Sequence, residues 1–125
     1  MIDHTGINVS NIALSKRFYE NVLETLGYRV CLDLGTSVGF GAQTNKGDDP
    51  GGDFWISEQT PHTPRSHIAF RANTCDEVRA FHETAIRCGG VCNGTPGFRP
   101  EYHPSYYAAF ILEPDGYNIE AVCHK

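Results

Sequence analysis

The chain has 125 residues and a mass of 13.8 kDa, a length typical of a single domain. Hydrophobic residues make up 40% of it and charged residues 20%, a balance typical of globular proteins that argues against a disordered chain. The formal net charge is -5, which argues against a nucleic acid or an anionic membrane as partner. No apolar run approaches the roughly 18 residues of a transmembrane helix.

The N-terminus and the cysteines indicate a reducing compartment. Residues 1–4 contain neither the basic nor the apolar region of a secretory signal. The five cysteines are odd in number, scattered, and include no Cys-x-x-Cys pair, so they form a poor disulfide or zinc framework. We therefore expect a cytoplasmic protein.

The first half of the chain reads as one strand, one helix and three further strands. Residues 4–9 form the first strand, and a helix is predicted over about residues 11–26, capped by Ser10 or Asn11 and ended by Gly27. Its apolar face repeats every four residues, at Leu14, Phe18 and Val22. Three strands follow at residues 28–34, 36–42 and 53–58, with a loop rich in Gly, Asp and Asn at residues 43–52.

The second half repeats this order after a proline-containing linker at residues 61–64. A strand at residues 67–72 precedes a helix over about residues 75–88, where Thr74 and Glu77 have the spacing of a capping box. Three strands are predicted at residues 90–94, 106–112 and 117–123, with a tight turn at residues 114–116. The apolar stripe of the second helix consists of Val78, Phe81, Ala85 and Ile86.

The two halves match without gaps at an offset of 63 residues. His4 corresponds to His67, Phe18 to Phe81, and the helix stop Gly27 to Gly90. A match of strand, helix face and helix stop indicates an internal repeat. The sequence therefore predicts an α+β fold of two βαβββ modules, about residues 1–60 and 65–125, in a single domain.

Three side chains of types that commonly bind metals are predicted to lie on the sheet faces turned away from the helices. Because strands alternate their side chains, His4, His67 and Glu120 fall on those faces. Two histidines and a carboxylate form a triad suited to one divalent Fe, Mn, Ni or Zn ion. The alternative is that the histidines are only hydrogen-bonded or solvated. If the sheets curl around a common cleft, the three residues converge.

Other polar and aromatic residues are candidates for the cleft. Arg71 shares the face of His67 and either holds a substrate carboxylate or pairs with a neighbouring strand. His103 is a candidate fourth ligand or catalytic acid/base, or else part of a solvated loop. Tyr102, Tyr106 or Tyr107 either orients a substrate oxygen or closes the sheet edge, and Trp55 is predicted to line the cleft.

Four segments resemble the vicinal oxygen chelate superfamily, the group of glyoxalase I, bleomycin-resistance proteins and extradiol dioxygenases. They are HTGINVS at residues 4–10, Phe18-Tyr19, HIAF at residues 67–70 and EPDGYNIE at residues 113–120. The resemblance implies paired βαβββ modules in a cupped, partly open mixed β-barrel with a central cleft and one divalent metal ion. By that resemblance His4, His67 and Glu120 occupy ligand positions, and members of this size are commonly homodimers.

One position departs from the glyoxalase pattern. Glyoxalase I has a fourth ligand at the repeat mate of Glu120, which here is Ser57, a poor metal ligand. The remaining pattern is closer to the extradiol-dioxygenase triad. We expect a metal-dependent enzyme that chelates vicinal oxygens of a small molecule, with lyase, isomerase or ring-cleaving oxygenase chemistry, and with Glu120 and His103 as catalytic candidates. The alternative is a metal-free protein that sequesters a small molecule, of bleomycin-resistance type.

Overall fold

Each half of the chain folds into a four-stranded sheet with a helix on one face in the computed structural model, which describes residues 1–42 and 50–124. The first module contains β1 (Thr5–Val9), α1 (Ile12–Glu24), β2 (Tyr28–Asp33), β3 (Ser37–Ala42) and β4 (Phe54–Glu58). The second contains β5 (His67–Arg71), α2 (Cys75–Arg87), β6 (Val91–Phe98), β7 (Tyr106–Leu112) and β8 (Asn118–His124).

The two sheets have the same topology. Their strand orders are β1-β4-β3-β2 and β5-β8-β7-β6, and only the β1–β4 and β5–β8 pairs are parallel. The predicted α+β class and the repeated modules are confirmed, and the sheets remain open, as a cupped, partly open barrel requires. Of the predicted loop at residues 43–52, residues 43–49 lie outside the described residues.

Both helices begin at the predicted caps. The Asn11 side chain accepts a hydrogen bond from the Leu14 amide at 3.1 Å, and the Thr74 hydroxyl accepts one from the Glu77 amide at 3.1 Å. The predicted apolar stripes are wrong at one residue each, because Leu14 is 49% exposed and Ile86 41% exposed. The buried stripe of α1 instead includes Tyr19 and Leu23, since the helix faces both its own sheet and α2.

One apolar core lies between the two sheets. Each helix packs on the sheet of its own module, and the two helices pack on each other. Phe70 of β5 joins the modules, because its ring centroid lies 5.2 Å from that of Phe54 and 5.8 Å from that of Tyr28. Among the described residues no strand of one sheet pairs with a strand of the other. The sheet faces turned away from the helices are therefore left open.

A buried carboxylate fastens the second module to the first. Glu113 is 3% exposed and accepts a hydrogen bond from the Tyr19 hydroxyl of α1 at 3.0 Å. Its other oxygen accepts from the amides of Asp115 at 2.6 Å and Tyr117 at 3.1 Å, which closes the turn before β8. Asp115 in turn accepts from the amide and the hydroxyl of Ser10. The tight turn thus holds β8 and α1 in fixed relation.

Strand β6 is longer than the prediction of residues 90–94. It extends to Phe98, and its pairing with β7 shifts register twice, between Cys92 and Gly94 and between Gly94 and Gly97. A proline has no amide to donate to a ladder, yet Pro96 is tolerated because β6 is an edge strand with bulges. Pro96 and Gly97 therefore lie inside an irregular edge strand, beyond its predicted end at residue 94.

Neither described helix has the length or the apolar content needed to cross a bilayer.

Replacing Glu113 by Gln tests the electrostatic cost of this buried carboxylate. Burial raises the pKa of Glu113 above its ordinary value, so the folded state binds the proton more tightly than the unfolded chain does. The free energy of unfolding of the wild type, relative to Glu113→Gln, should therefore fall as the pH rises from about 4 to about 7. Urea unfolding of both proteins across that range measures the difference. A difference that stays constant or grows with pH would contradict the assigned burial effect.

Candidate functional site

A cleft of about 540 Å³ opens on the exposed face of the second sheet. Side chains from β5, β7 and β8 form its floor, and the segment between β6 and β7 forms one wall. Its lining residues are His67, Tyr102, His103, Tyr106, Phe110, Asn118 and Glu120. The cleft therefore combines a carboxylate and two imidazoles with three other aromatic rings.

Strand alternation and register bring the polar groups of the cleft together. The β5–β8 register places His67 opposite Asn118, and the β7–β8 register places Phe110 opposite Glu120. Their neighbours Ile119 and Ala121 are fully buried on the helix side. Glu120 itself is only 2% exposed, so its carboxylate needs partners to offset the lost hydration.

The ring of His67 is held in one tautomer. Its Nδ1 lies 2.8 Å from the carbonyl oxygen of Asn118, and because a carbonyl only accepts, Nδ1 must carry the proton. In the neutral ring, Nε2 then presents a lone pair, and it lies 3.0 Å from Oε2 of Glu120. An ionised carboxylate also only accepts. Two acceptors face each other across this gap, so a proton or a metal ion is required between them.

The second oxygen of Glu120 is already occupied. The Tyr106 hydroxyl donates a hydrogen bond to Oε1 of Glu120. Burial, reinforced by this hydrogen bond, raises the pKa of Tyr106 to about 12, so the phenol keeps its proton at neutral pH. The rings of Tyr102 and His103 pack edge-on against Tyr106, with centroids at 4.9 and 5.3 Å. Oε2 of Glu120 is therefore the oxygen that faces His67, while Oε1 faces Tyr106.

His103 lines the cleft with both of its ring nitrogens in use. Its Nδ1 accepts from the Ser105 amide at 3.1 Å, which leaves the proton on Nε2 in the neutral ring. That Nε2 lies 2.8 Å from Nδ1 of His124, and the two rings stack with centroids at 5.0 Å. Acting as a fourth ligand or as an acid/base would require His103 to break one of these hydrogen bonds, so this role stays a prediction.

Two of the predicted substrate-binding residues lie elsewhere on the second module. Arg71 lines a separate hollow of about 240 Å³ next to His124. Tyr107 is on the helix side of β7 because adjacent strand residues alternate faces, and it is 8% exposed. Its hydroxyl accepts from Nη1 of Arg79 at 2.9 Å. Of the predicted pair of tyrosines, only Tyr106 lines the cleft.

The remaining candidates, His4 and Trp55, belong to the first sheet. Trp55 of β4 lies opposite Gly6 and Gly39, and a Cβ on Gly39 would come within 2.8 Å of the Trp55 ring. His4 precedes β1, and its Nδ1 lies 2.7 Å from the Asp3 carboxylate. Among the described residues, no three His, Cys, Asp or Glu side chains form a metal-binding cluster. One copy of the chain thus joins His67 to Glu120 but does not add His4.

Besides Asn118, Phe110 is a cleft residue that sequence reasoning missed. Its ring stacks on the His67 imidazole with a centroid distance of 6.2 Å and an interplanar angle of 29°. Counting alternate residues from Tyr106 along β7 reaches Phe110, so strand alternation contained the signal.

Comparison with known proteins agrees with this architecture. Residues 1–121 match the family model described as the Glyoxalase/Bleomycin resistance protein/Dioxygenase superfamily. The chain belongs to this superfamily. A comparison with curated proteins gives no significant match.

Solved structures of this superfamily share the fold over nearly the whole chain. A glyoxalase/bleomycin resistance protein from Albidiferax ferrireducens T118 is 27% identical with a TM-score of 0.78, and the match covers 98% of both chains. A glyoxalase/bleomycin resistance protein/dioxygenase family enzyme from Burkholderia phytofirmans PsJN is 16% identical, with a TM-score of 0.71 and coverage of 99% and 98%. A glyoxalase-related enzyme from Fulvimarina pelagi is 16% identical, with a TM-score of 0.70 and coverage of 98% and 87%.

The geometry of the cleft predicts opposite tautomers for its two histidines, His67 and His103. In the metal-free protein, at a pH where both rings are neutral, His67 should carry its proton on Nδ1 and His103 on Nε2. Long-range ¹H–¹⁵N correlation spectra of ¹⁵N-labelled protein distinguish the tautomers, and each histidine serves as the control for the other. Finding the His67 proton on Nε2 would contradict this prediction, because Nε2 would then donate a hydrogen bond to Glu120 instead of facing it with a lone pair.

Proposed function

We propose that the protein is a metal-dependent enzyme of glyoxalase or dioxygenase type that acts on a small molecule presenting two neighbouring oxygens to the metal. The observation that carries the proposal is the contact between the Nε2 lone pair of His67 and Oε2 of Glu120 at 3.0 Å. These groups repel unless a proton or a metal ion lies between them, and we propose that in the working protein the metal ion takes this place.

The donors present fit a divalent metal ion. Nε2 of His67 and Oε2 of Glu120, which lie 3.0 Å apart, would be two of its ligands. An imidazole and a carboxylate together suit Fe, Mn, Ni or Zn ions. The hydrogen bond from Nδ1 of His67 to the Asn118 carbonyl is the outer contact that metal-bound histidines need for orientation.

A homodimer would supply the third ligand, His4. Within one chain His4 is not part of the cleft, whereas β1 and β5 are both edge strands, each paired on one side only among the described residues. Unpaired edges favour association with another strand or another copy of the chain. We therefore propose that the open face of the first sheet, with His4 and Trp55, covers the cleft of a second copy.

Each residue of the cleft would either bind or orient the metal ion or the substrate. A bound metal ion would act as a Lewis acid on the substrate oxygens. Tyr106 holds the Glu120 carboxylate so that its other oxygen would be free to bind the ion. The carbonyl of the Asn118 side chain accepts from Asn93 at 3.2 Å, which leaves the amide N–H groups of Asn118 to orient a substrate oxygen. The rings of Tyr102 and Phe110 exclude water from an apolar part of the ligand.

A metal-free sequestering protein is the second candidate. The aromatic walls formed by Tyr102, Tyr106 and Phe110 favour it, because they would hold a flat, partly apolar ligand without any metal. In that case Glu120 would only be a polar part of the wall. The two candidates therefore differ in what the Glu120 charge does.

Replacing Glu120 by Gln separates the two candidates. The substitution keeps the shape of the side chain but removes the charge, so affinity for Mn²⁺, Fe²⁺, Ni²⁺ or Zn²⁺ should fall at least about tenfold. Metal content after purification without chelator or nickel resin, calorimetric titration and thermal melting with each ion measure the effect. The matched control is Glu101→Gln, at an exposed position in the segment that leads to the cleft wall.

The control variant should bind metal as the wild type does. A wild type that contains no metal, shows no metal-dependent rise in Tm and matches Glu120→Gln in every assay would contradict the metalloenzyme and favour the sequestering protein.

Mixing two inactive variants tests the shared site. His4→Ala and Glu120→Gln homodimers should each bind metal poorly. If His4 of one copy joins Glu120 of the other, a mixed dimer contains one site with both substitutions and one site with none. Mixing should therefore restore about one strong metal site per heterodimer. Calorimetric titration before and after subunit exchange counts the sites.

Light scattering should first give twice the 13.8 kDa mass of one chain. A monomeric mass at micromolar concentration would contradict the dimer, and dimers that exchange subunits without regaining metal binding would contradict the shared site.

A further inference from the structure

An arginine beside the cleft is held by the irregular edge strand. Arg99 follows β6, and its backbone amide donates to the carbonyl of Tyr106 at 2.7 Å. Its guanidinium turns back over β6, where Nη1 donates to the Gly97 carbonyl and Nη2 to the Thr95 carbonyl, both at 2.8 Å. The central guanidinium carbon lies 5.4 Å from the centroid of the Phe110 ring, which lines the cleft.

The bulges of β6 leave room for this guanidinium. A Cβ on Gly94 would lie 3.2 Å from Nη2 of Arg99 and 2.9 Å from the Phe110 ring. A Cβ on Gly97 would lie 3.3 Å from Nη1 of Arg99. A side chain at either position would make the guanidinium or the Phe110 ring shift. The glycines therefore leave the space in which the guanidinium lies.

The positive charge of Arg99 has no acidic partner in the described part of the chain. None of the described Asp or Glu residues lies within salt-bridge distance of its guanidinium, although the chain has 15 acidic residues and a net charge of -5. The two carbonyls use two of the five N–H donors of the guanidinium. A half-buried cation in a fixed position with unused donors is suited to recognise an oxyanion.

We propose that Arg99 binds the oxyanion group, a carboxylate or phosphonate, of the small molecule that occupies the cleft. This inference rests on the proposed function and adds the chemical class of the ligand. In the order β5-β8-β7-β6, Glu120 lies on β8 and the guanidinium lies over β7 and β6, roughly 5–10 Å away at the usual strand spacing. The ligand would therefore have its acidic group at one end and its metal-binding oxygens at the other.

Small aromatic probes test the anion site on the full chain, with and without Zn²⁺. Benzoate, phenylphosphonate and the neutral benzamide would be titrated while the Nε–Hε signals of the arginines are followed by ¹H–¹⁵N NMR. The two anions should shift the Arg99 signal and bind more tightly than benzamide, and the tighter of the two identifies the preferred oxyanion. Arg99→Gln should weaken benzoate at least about tenfold and leave benzamide unchanged.

Two further variants control for structural effects. Arg71→Gln removes the same charge from a separate hollow and should leave benzoate binding unchanged. Arg99→Lys keeps the charge but loses the planar guanidinium, so benzoate binding should be partly lost. This variant replaces Arg99→Gln in the test if Arg99→Gln does not fold.

Equal binding of benzoate and benzamide, or benzoate binding that survives Arg99→Gln, would overturn the proposal. Benzoate binding that depends on Zn²⁺ but not on Arg99 would overturn it as well, because the metal ion would then bind the anion. Arg99-dependent binding in a chain that takes up no metal would instead support the oxyanion site while the proposed metalloenzyme fails.

Discussion

The hydrogen bond between Nδ1 of His67 and the carbonyl of Asn118 determines what the rest of the cleft can do. The parallel register of β5 and β8 sets this contact, so it belongs to the backbone of the sheet. Because the carbonyl only accepts, the neutral ring must aim a lone pair at Glu120. Glu120 cannot turn away, since the Tyr106 hydroxyl holds its other oxygen and the side chain is buried. The sheet thus sets a gap between Nε2 of His67 and Oε2 of Glu120 that a proton or a metal ion can bridge.

The core explains why one chain presents only part of the predicted triad. Both helices lie between the sheets, and Phe70 packs on Phe54 and Tyr28 where the modules meet. The Glu113 contacts with Tyr19 and with the turn at residues 113–117 reinforce this packing. His4 therefore lies outside the cleft of its own chain. The proposed second copy would supply it without any change to this core.

Strand alternation and the internal repeat could predict most of the fold and part of the cleft. They located both βαβββ modules and the convergence of His67 and Glu120, because those features depend on local periodicity. They could not locate partners that are far apart in sequence, such as His103 with His124. The register shifts of β6 were equally hidden, because Gly94, Pro96 and Gly97 are typical of both a strand end and a bulged edge.

The charges in the cleft connect the metal to the class of ligand. Glu120 is the only carboxylate among the described lining residues, so a bound dication would outweigh it and the cleft would become positive. Arg99 adds a further positive charge beside Phe110. The rest of the chain is acidic, and a positive cleft in a negative surface focuses the field that draws anions to one place. Anion binding should therefore strengthen when metal is present, since the ion and the guanidinium attract the two ends of the same ligand. Reciprocally, an anion held by Arg99 should raise metal affinity by the same factor, because coupling between two bound groups is symmetric.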